Sequence, residues 1–529
     1  MVTPSLRKYR RFFSSSHSLS LINFLMDTWN SRRSAILSSK AICSSSQPLA
    51  SSTGIRILEN GGNAADAAVA MAAVLNLTEP CSTGIGGDAF ALYYEAKTKK
   101  VHCLQGNGAS PRALTLEYLN SIGIGVGEGL KPWDSRCGLC VTVPGAAALW
   151  EDMVVSHGKL TLNQVLAPAI SLAENGFPLS PVTAEYWKDS FIQGEEANRI
   201  FRPNGAPVKP GQLFKNPDLA NTFRSLAEQG AKKGFYSGPI AEAIVEAVRE
   251  IGGVMSLDDL ISHSTQHEDP ISTVYKGLRI YQTPPPSHGL CVLVALNLIQ
   301  ACEKRLNLAQ AGTHCSSQNS LSFEPNWELR ANPETTHLVI EAMRRAFADG
   351  LEFIGDPLNN TNRIPTDILL SQEYADTRSQ EISLDTATSV RAGDISFFQH
   401  GETVYFSVVD DEGNACSFIN SNYMGFGTGM VPKNTGFTLQ NRGFNFSLQP
   451  GHNNQVAPRK RPYHTIIPSL ATFEEDGSLF GVFGNMVSPS IHFSFVFYSM
   501  LPGRIHAADG SRAAHSKLGG SSAEPARSL

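Results

Sequence analysis

The chain has 529 residues, 42% of them hydrophobic and 17% charged, with a formal net charge of −5. That length supports a large packed core and more than one structural unit. The mild acidity, without a basic stripe interleaved with aromatics, points away from nucleic acid. No apolar run reaches the roughly 18 residues that a membrane-crossing helix needs, so no transmembrane segment is expected.

The nine cysteines are odd in number and scattered in spacing, which favours a reduced, cytoplasmic setting over a disulfide framework. Cys137 and Cys140 form a lone CxxC; without a second pair it is not read as a zinc or redox site. Residues 1–25 carry Arg7, Lys8, Arg10 and Arg11, many serines and no acid, the composition of a mitochondrial presequence. Met26 is an alternative start, and 1–31 is read as an N-terminal extension, either targeting or a gene-model artefact.

Ala64 to Leu75 is Ala-rich and predicts a buried helix. Gly84, Gly86 and Gly87 make a tight turn before a strand over Ala89–Tyr94; no Gly-Lys-Ser/Thr follows, so this is not a phosphate loop. Gly123 to Gly129 is a loop, and helices are expected around Ala146–His157 and Thr161–Glu174. Residues 182–280 read as mostly helical, with an amphipathic stretch over Ile240–Ile251 and a cap formed by Ser256 and Asp259. A loop then enters an apolar helix within 281–300. Residues 303–333 are polar and aperiodic and read as an inserted surface loop, and 385–402 as a polar linker.

Residues 403–409, Thr-Val-Tyr-Phe-Ser-Val-Val, are β-branched, aromatic and small and predict a strand. Asp411-Glu412-Gly413-Asn414 is a turn, and Ala415–Asn420 a second strand, so the unit is a hairpin followed by a Gly-rich segment to Gly429. A threonine in such a strand is, by composition alone, an ordinary strand residue. The Ser/Ala/Gly-rich tail over 487–529 reads as disordered.

The stretch TVYFSVVDDEGNACSFINSNYMGFGTGMVP, residues 403–432, resembles the start of the small subunit in the gamma-glutamyltransferase (gamma-glutamyltranspeptidase) family of N-terminal-nucleophile hydrolases. Gly-Gly-Asn-Ala-Ala-Asp-Ala at 61–67, the segment 141–181, and the segments 336–350 and 436–486 are similar to that family too. The likeness covers roughly 32–302 and 335–486. It implies a fold that periodicity alone gives only as mixed α and β: an α/β four-layer αββα sandwich. It also implies self-cleavage before Thr403, giving a large fragment, 32–402, and a small catalytic one, 403–486, folded together. The chemistry is coherent. A threonine hydroxyl is a weak nucleophile, and cleavage would give Thr403 its own base, an α-amine with a pKa of about 8.

The resemblance implies a role for each of several further residues. Ser421 falls where a hydroxyl bonds the nucleophile, and Tyr423 where an Asn touches substrate. His464 and Thr465 stand in place of a Ser-Ser pair that holds the substrate carboxylate. Gly484 and Asn485 match the glycine pair whose N–H groups form the oxyanion hole. The carboxylate-clamping arginine is replaced by Asn107 and the amine-binding acid by Asn445, with Arg112 a conceivable substitute cation. The substrates implied are gamma-glutamyl or other small acyl amides such as glutathione, with water or an amino acid as acceptor and no metal or organic cofactor. Two alternatives stand beside this reading: an amidohydrolase of the same mechanism acting on another acyl group, and a non-catalytic homologue with an altered C-terminus.

Overall fold

The computed structural model describes residues 36–306, 333–358, 364–390 and 402–485. The N-terminal extension, most of the expected insertion at 303–333, most of the linker at 385–402 and the 487–529 tail lie outside the described residues.

Two antiparallel sheets form the middle of the fold, and their strands are numbered here in chain order. They are β1 (Ile42–Ser44), β2 (Asp88–Glu95), β3 (Lys100–Gly106), β4 (Gln266–Glu268), β5 (Ile271–Tyr275), β6 (Leu278–Gln282), β7 (Glu402–Val409), β8 (Ala415–Tyr423), β9 (Ser469–Phe473) and β10 (Leu479–Phe483). The first sheet has the order β1-β7-β8-β2-β3-β4 and the second β10-β9-β6-β5. Strand alternation assigns the two faces of the first sheet. Val404, Phe406 and Val408 join the core that holds the helix Ala64–Thr78. Tyr405 and Val409 face the other sheet, where Leu92, Tyr94, Leu470 and Val482 meet. The outer face of the second sheet is covered by the helices Gly289–Arg305 and Pro333–Phe353. The order helix, sheet, sheet, helix is the four-layer αββα sandwich, with the β7–β8 hairpin inside the first sheet.

The helix Ala64–Thr78 is buried at every position, and its small residues let it lie close to the sheet. Asn63 and Asp66 close its N-terminus reciprocally. The Ala64 N–H donates to the Asp410 carboxylate at 3.0 Å, and Asp410 also accepts from the Glu412 and Asn414 N–H groups. One carboxylate therefore joins the helix start to the hairpin turn.

The expected helix over 146–157 is present, and Ser256 and Asp259 form a capping box. The expectation of a mostly helical 182–280 is corrected at its end. β4, β5 and β6 occupy 266–282. Ile271–Tyr275 and Leu278–Gln282, which carry Ile, Thr, Val and Tyr, flank Lys276-Gly277, both at positive φ, which is a two-residue hairpin turn. The β7–β8 hairpin is longer than expected, running to Tyr423.

Candidate active site

Thr403 lies one residue from the start of β7, on the same face as Tyr405, so its side chain belongs to the gap between the sheets. β7 and β8 pair regularly as far as Val404↔Asn420, and an irregularity follows between Asn420 and Tyr423. There the Thr403 Oγ1 and Ser421 Oγ are 2.9 Å apart. Ser421 pairs with Asp88 on β2, and Asp88 is in turn reached by the Gly108 N–H just beyond β3. Neighbouring strands thus bring two hydroxyls, of Thr403 and Ser421, and the Asp88 acid into one row at the edge of the inter-sheet gap.

Tyr423 closes the irregularity at φ 76°, a left-handed conformation that costs a bulky residue about 1–3 kcal/mol. Its N–H donates to Ser421 Oγ at 3.0 Å, and the Arg442 guanidinium sits 4.5 Å over its ring. Arg442 opens a short 3-10 turn, Arg442–Asn445, and is 1% exposed. It donates to Ser421 Oγ at 2.9 Å and to Thr465 Oγ1 at 2.7 Å. Burial lowers its pKa to about 10 against the raising effects of Asp88 and Tyr423, so it stays charged at neutral pH. Burial raises the Tyr423 phenol to about 12, keeping it neutral.

Asp88 is fully buried, and burial raises its pKa to about 7 against the lowering effects of Arg442 and two backbone N–H groups. His464 Nε2 is 3.0 Å from Asp88 Oδ2. The same histidine's Nδ1 accepts from the Ile466 N–H at 3.4 Å, which places the ring proton on Nε2 as the donor to Asp88. Burial, together with Arg442, His288 and Arg461, pushes the imidazole pKa well below its usual value, so the contact joins a neutral histidine to the acid.

Gly484 follows β10 and packs on Tyr405. A Cβ there would fall 2.3 Å from Tyr405 Cδ2, so only glycine lets the backbone come this close to β7. Asn485 is buried beside it.

Thr403, Ser421, Tyr423 and Thr465 therefore converge, and Arg442 is what joins them. His464 contacts Asp88 rather than the Thr465 hydroxyl. Asn445 is set apart as well: its side chain donates to the Tyr463 carbonyl at 3.0 Å. Asn107 is 2% exposed, and neither end of its amide has a partner among the described residues. Arg112, offered as a substitute cation, is exposed and contributes its backbone N–H to Asp259. Sequence reasoning passed over Arg442 and Asp88. A lone Arg amid Gly, Phe and Asn, and a lone acid opening the apolar run Ala89–Tyr94, were the available signals. Among the described residues, no group of three or more His, Cys, Asp or Glu side chains is placed to hold a metal ion.

A family model described as gamma-glutamyltranspeptidase matches residues 50–500. The chain belongs to that family. The match runs across the 303–333 segment and past Met486, where the sequence reading had ended the likeness. Two relatives from Bacillus subtilis (strain 168) are similar. The glutathione hydrolase-like YwrD proenzyme is 32% identical over 440 residues, covering 82% of this chain and 77% of the relative. A glutathione hydrolase proenzyme is 32% identical over 452 residues, covering 81% and 72%. Among solved structures, cephalosporin acylase from Bacillus halodurans has a TM-score of 0.76 and 35% identity, covering 89% of this chain and 82% of that one.

Proposed function

We propose that this chain is the precursor of a gamma-glutamyltransferase-like amidase that cuts itself before Thr403 and then transfers the acyl group of gamma-glutamyl amides, glutathione among them, to water or an amino acid. The observation that carries the reading is the Thr403 Oγ1 held 2.9 Å from Ser421 Oγ at the edge of the gap between the sheets, in a chain of this family.

In maturation, Thr403 Oγ adds to the Glu402 carbonyl carbon, the C–N bond breaks, and water hydrolyses the resulting ester. The freed α-amine of Thr403 then takes the hydroxyl proton as Oγ attacks the substrate amide. The backbone N–H groups of Gly484 and Asn485 are assigned to the oxyanion, a contribution of about 3–4 kcal/mol per donor in well-studied cases. The proton returns to the departing amine, leaving an acyl ester on Thr403 that water or an acceptor amine resolves. The glutathione hydrolase names of both Bacillus relatives support the donor class. Asn107 and Asn445, in place of two charged partners, support a second reading in which the acyl group is another small acid.

The test is intact mass of the purified chain beside Thr403→Ala, followed by turnover of glutathione. Two fragments parting at Glu402–Thr403 in the wild type only, with glutamate released, is the expected result. An uncut wild-type chain would refute the reading. Clean cutting without glutathione turnover would move it to the second acyl class.

A further inference from the structure

We infer that Arg442 is the residue that recognises the acyl donor, by pairing with a carboxylate on its acyl part, and that the donor's α-amine is dispensable. The inference rests on the amidase reading above and names the chemical handle its donors share.

Arg442 is a buried guanidinium whose side chain forms no salt bridge among the described residues. Among the described residues it makes two side-chain hydrogen bonds, both to neutral hydroxyls, and its Nε has no partner. It forms no ion pair with any described carboxylate. The acid that influences it, Asp88, is already engaged by His464 Nε2 and the Gly108 N–H. A buried cation in this state is costly unless an anion arrives to pair with it. A guanidinium offers a planar fork of donors suited to a carboxylate.

Its place fits a donor-binding role. The guanidinium touches Ser421 Oγ, which touches the nucleophile oxygen, so it lies within two hydrogen-bond lengths of Thr403 Oγ1. Thr403 and Thr465, both partly exposed, open this group to solvent, while Arg442 and Tyr423 lie buried behind them. The position where a clamping arginine was expected holds the neutral Asn107. The position expected to bind an α-amine with an acid holds the neutral Asn445, which brings no negative charge to an ammonium. A carboxylate is therefore the one charged feature of a donor that these residues are equipped to meet.

The experiment is calorimetric titration of glutarate, L-glutamate and neutral glutaramide into full-length Thr403→Ala protein. The same titrations follow with Arg442→Gln and Arg442→Lys added, after thermal unfolding has identified the folded variants. Glutarate and glutamate should bind the parent within about three-fold of each other, and Arg442→Gln should weaken both by about ten-fold or more. Arg442→Lys should retain part of the affinity, and glutaramide should be unaffected. Equal binding with and without Arg442, or no glutarate binding to the parent, overturns the inference. So does a strong preference for glutamate, which would restore an amine site.

In matured enzyme, Arg442→Lys should raise KM for glutaryl and gamma-glutamyl anilides more than it lowers kcat. A loss confined to kcat would make Arg442 a positioning residue acting through Ser421 and overturn donor recognition. A loss confined to the acceptor glycylglycine would overturn it too. The Thr403→Ala titrations need neither self-cleavage nor turnover, so failure of the amidase reading would show separately in the mass and turnover measurements.

Discussion

Gly484→Ala is the substitution whose consequence follows most directly from the packing. The added Cβ would lie 2.3 Å from Tyr405 Cδ2, 2.4 Å from Cε2 and 2.9 Å from Cγ. Ordinary contact needs at least about 3.4 Å, so ring and backbone must part by roughly 1 Å. Tyr405 is 4% exposed and its hydroxyl is 3.2 Å from Ser417 Oγ, so a shift of that size breaks this contact as well. Overpacking of about 1–3 kcal/mol and a lost hydrogen bond of about 1 kcal/mol together give about 2–4 kcal/mol. Because Tyr405 lies two residues after Thr403 on one strand, self-cleavage should slow along with the loss of stability. Thermal unfolding and time-resolved intact mass report the two effects. Tyr405→Leu removes the clashing ring atoms, so Gly484→Ala should be milder by more than about 1 kcal/mol in that background. An alanine variant with unchanged Tm and unchanged processing would refute the close-approach argument.

Asp88 should give a pH signature. Its folded pKa, raised by burial to about 7, exceeds the unfolded value, so the folded state holds more protons and this group's contribution falls as pH rises from about 4 to about 7. Asp88→Asn should flatten that part of the stability profile, measured by thermal unfolding at pH 5 and pH 7.5; an unchanged difference between the two pH values would count against it. The buried pair Glu341–Arg345, 3.0 Å apart, also bonds Thr388 on the segment leading towards the cleavage site. Glu341→Ala leaves the buried Arg345 with Glu381, 3.6 Å away, as its remaining carboxylate and should lower stability by about 1–3 kcal/mol, read as a fall in Tm. Asn445→Asp, which would restore an acid at the family's amine-binding position, loses the bond to the Tyr463 carbonyl and sets a carboxylate against it. It should lower stability by about 1–3 kcal/mol without raising gamma-glutamyl turnover; a gain in kcat/KM would show that the acid can reach an amine.

The sequence by itself determined the local pieces, because their causes are local. The alternation of Thr403 to Val409, the turn at Asp411–Asn414, the Ala-rich helix from Ala64 and the Ser256–Asp259 cap each follow from residues a few positions apart. The strands over 266–282 were equally local, but their short alternating runs were lost beside the long helices before them. Motif likeness added the family and the candidate nucleophile. Only the tertiary structure decided which polar groups share the site. Asp88 on β2 meets His464, in the segment before β9, at 3.0 Å, and Arg442 meets Ser421 and Thr465 from a loop turn. Those residues are far apart in the chain, and no periodicity records a contact between them. The charge that the site lacks at Asn107 and carries at Arg442 is visible only when β7, β8 and β2 are laid side by side. Burial then makes that charge consequential, because a guanidinium withdrawn from water must find its partner within the fold or in the substrate.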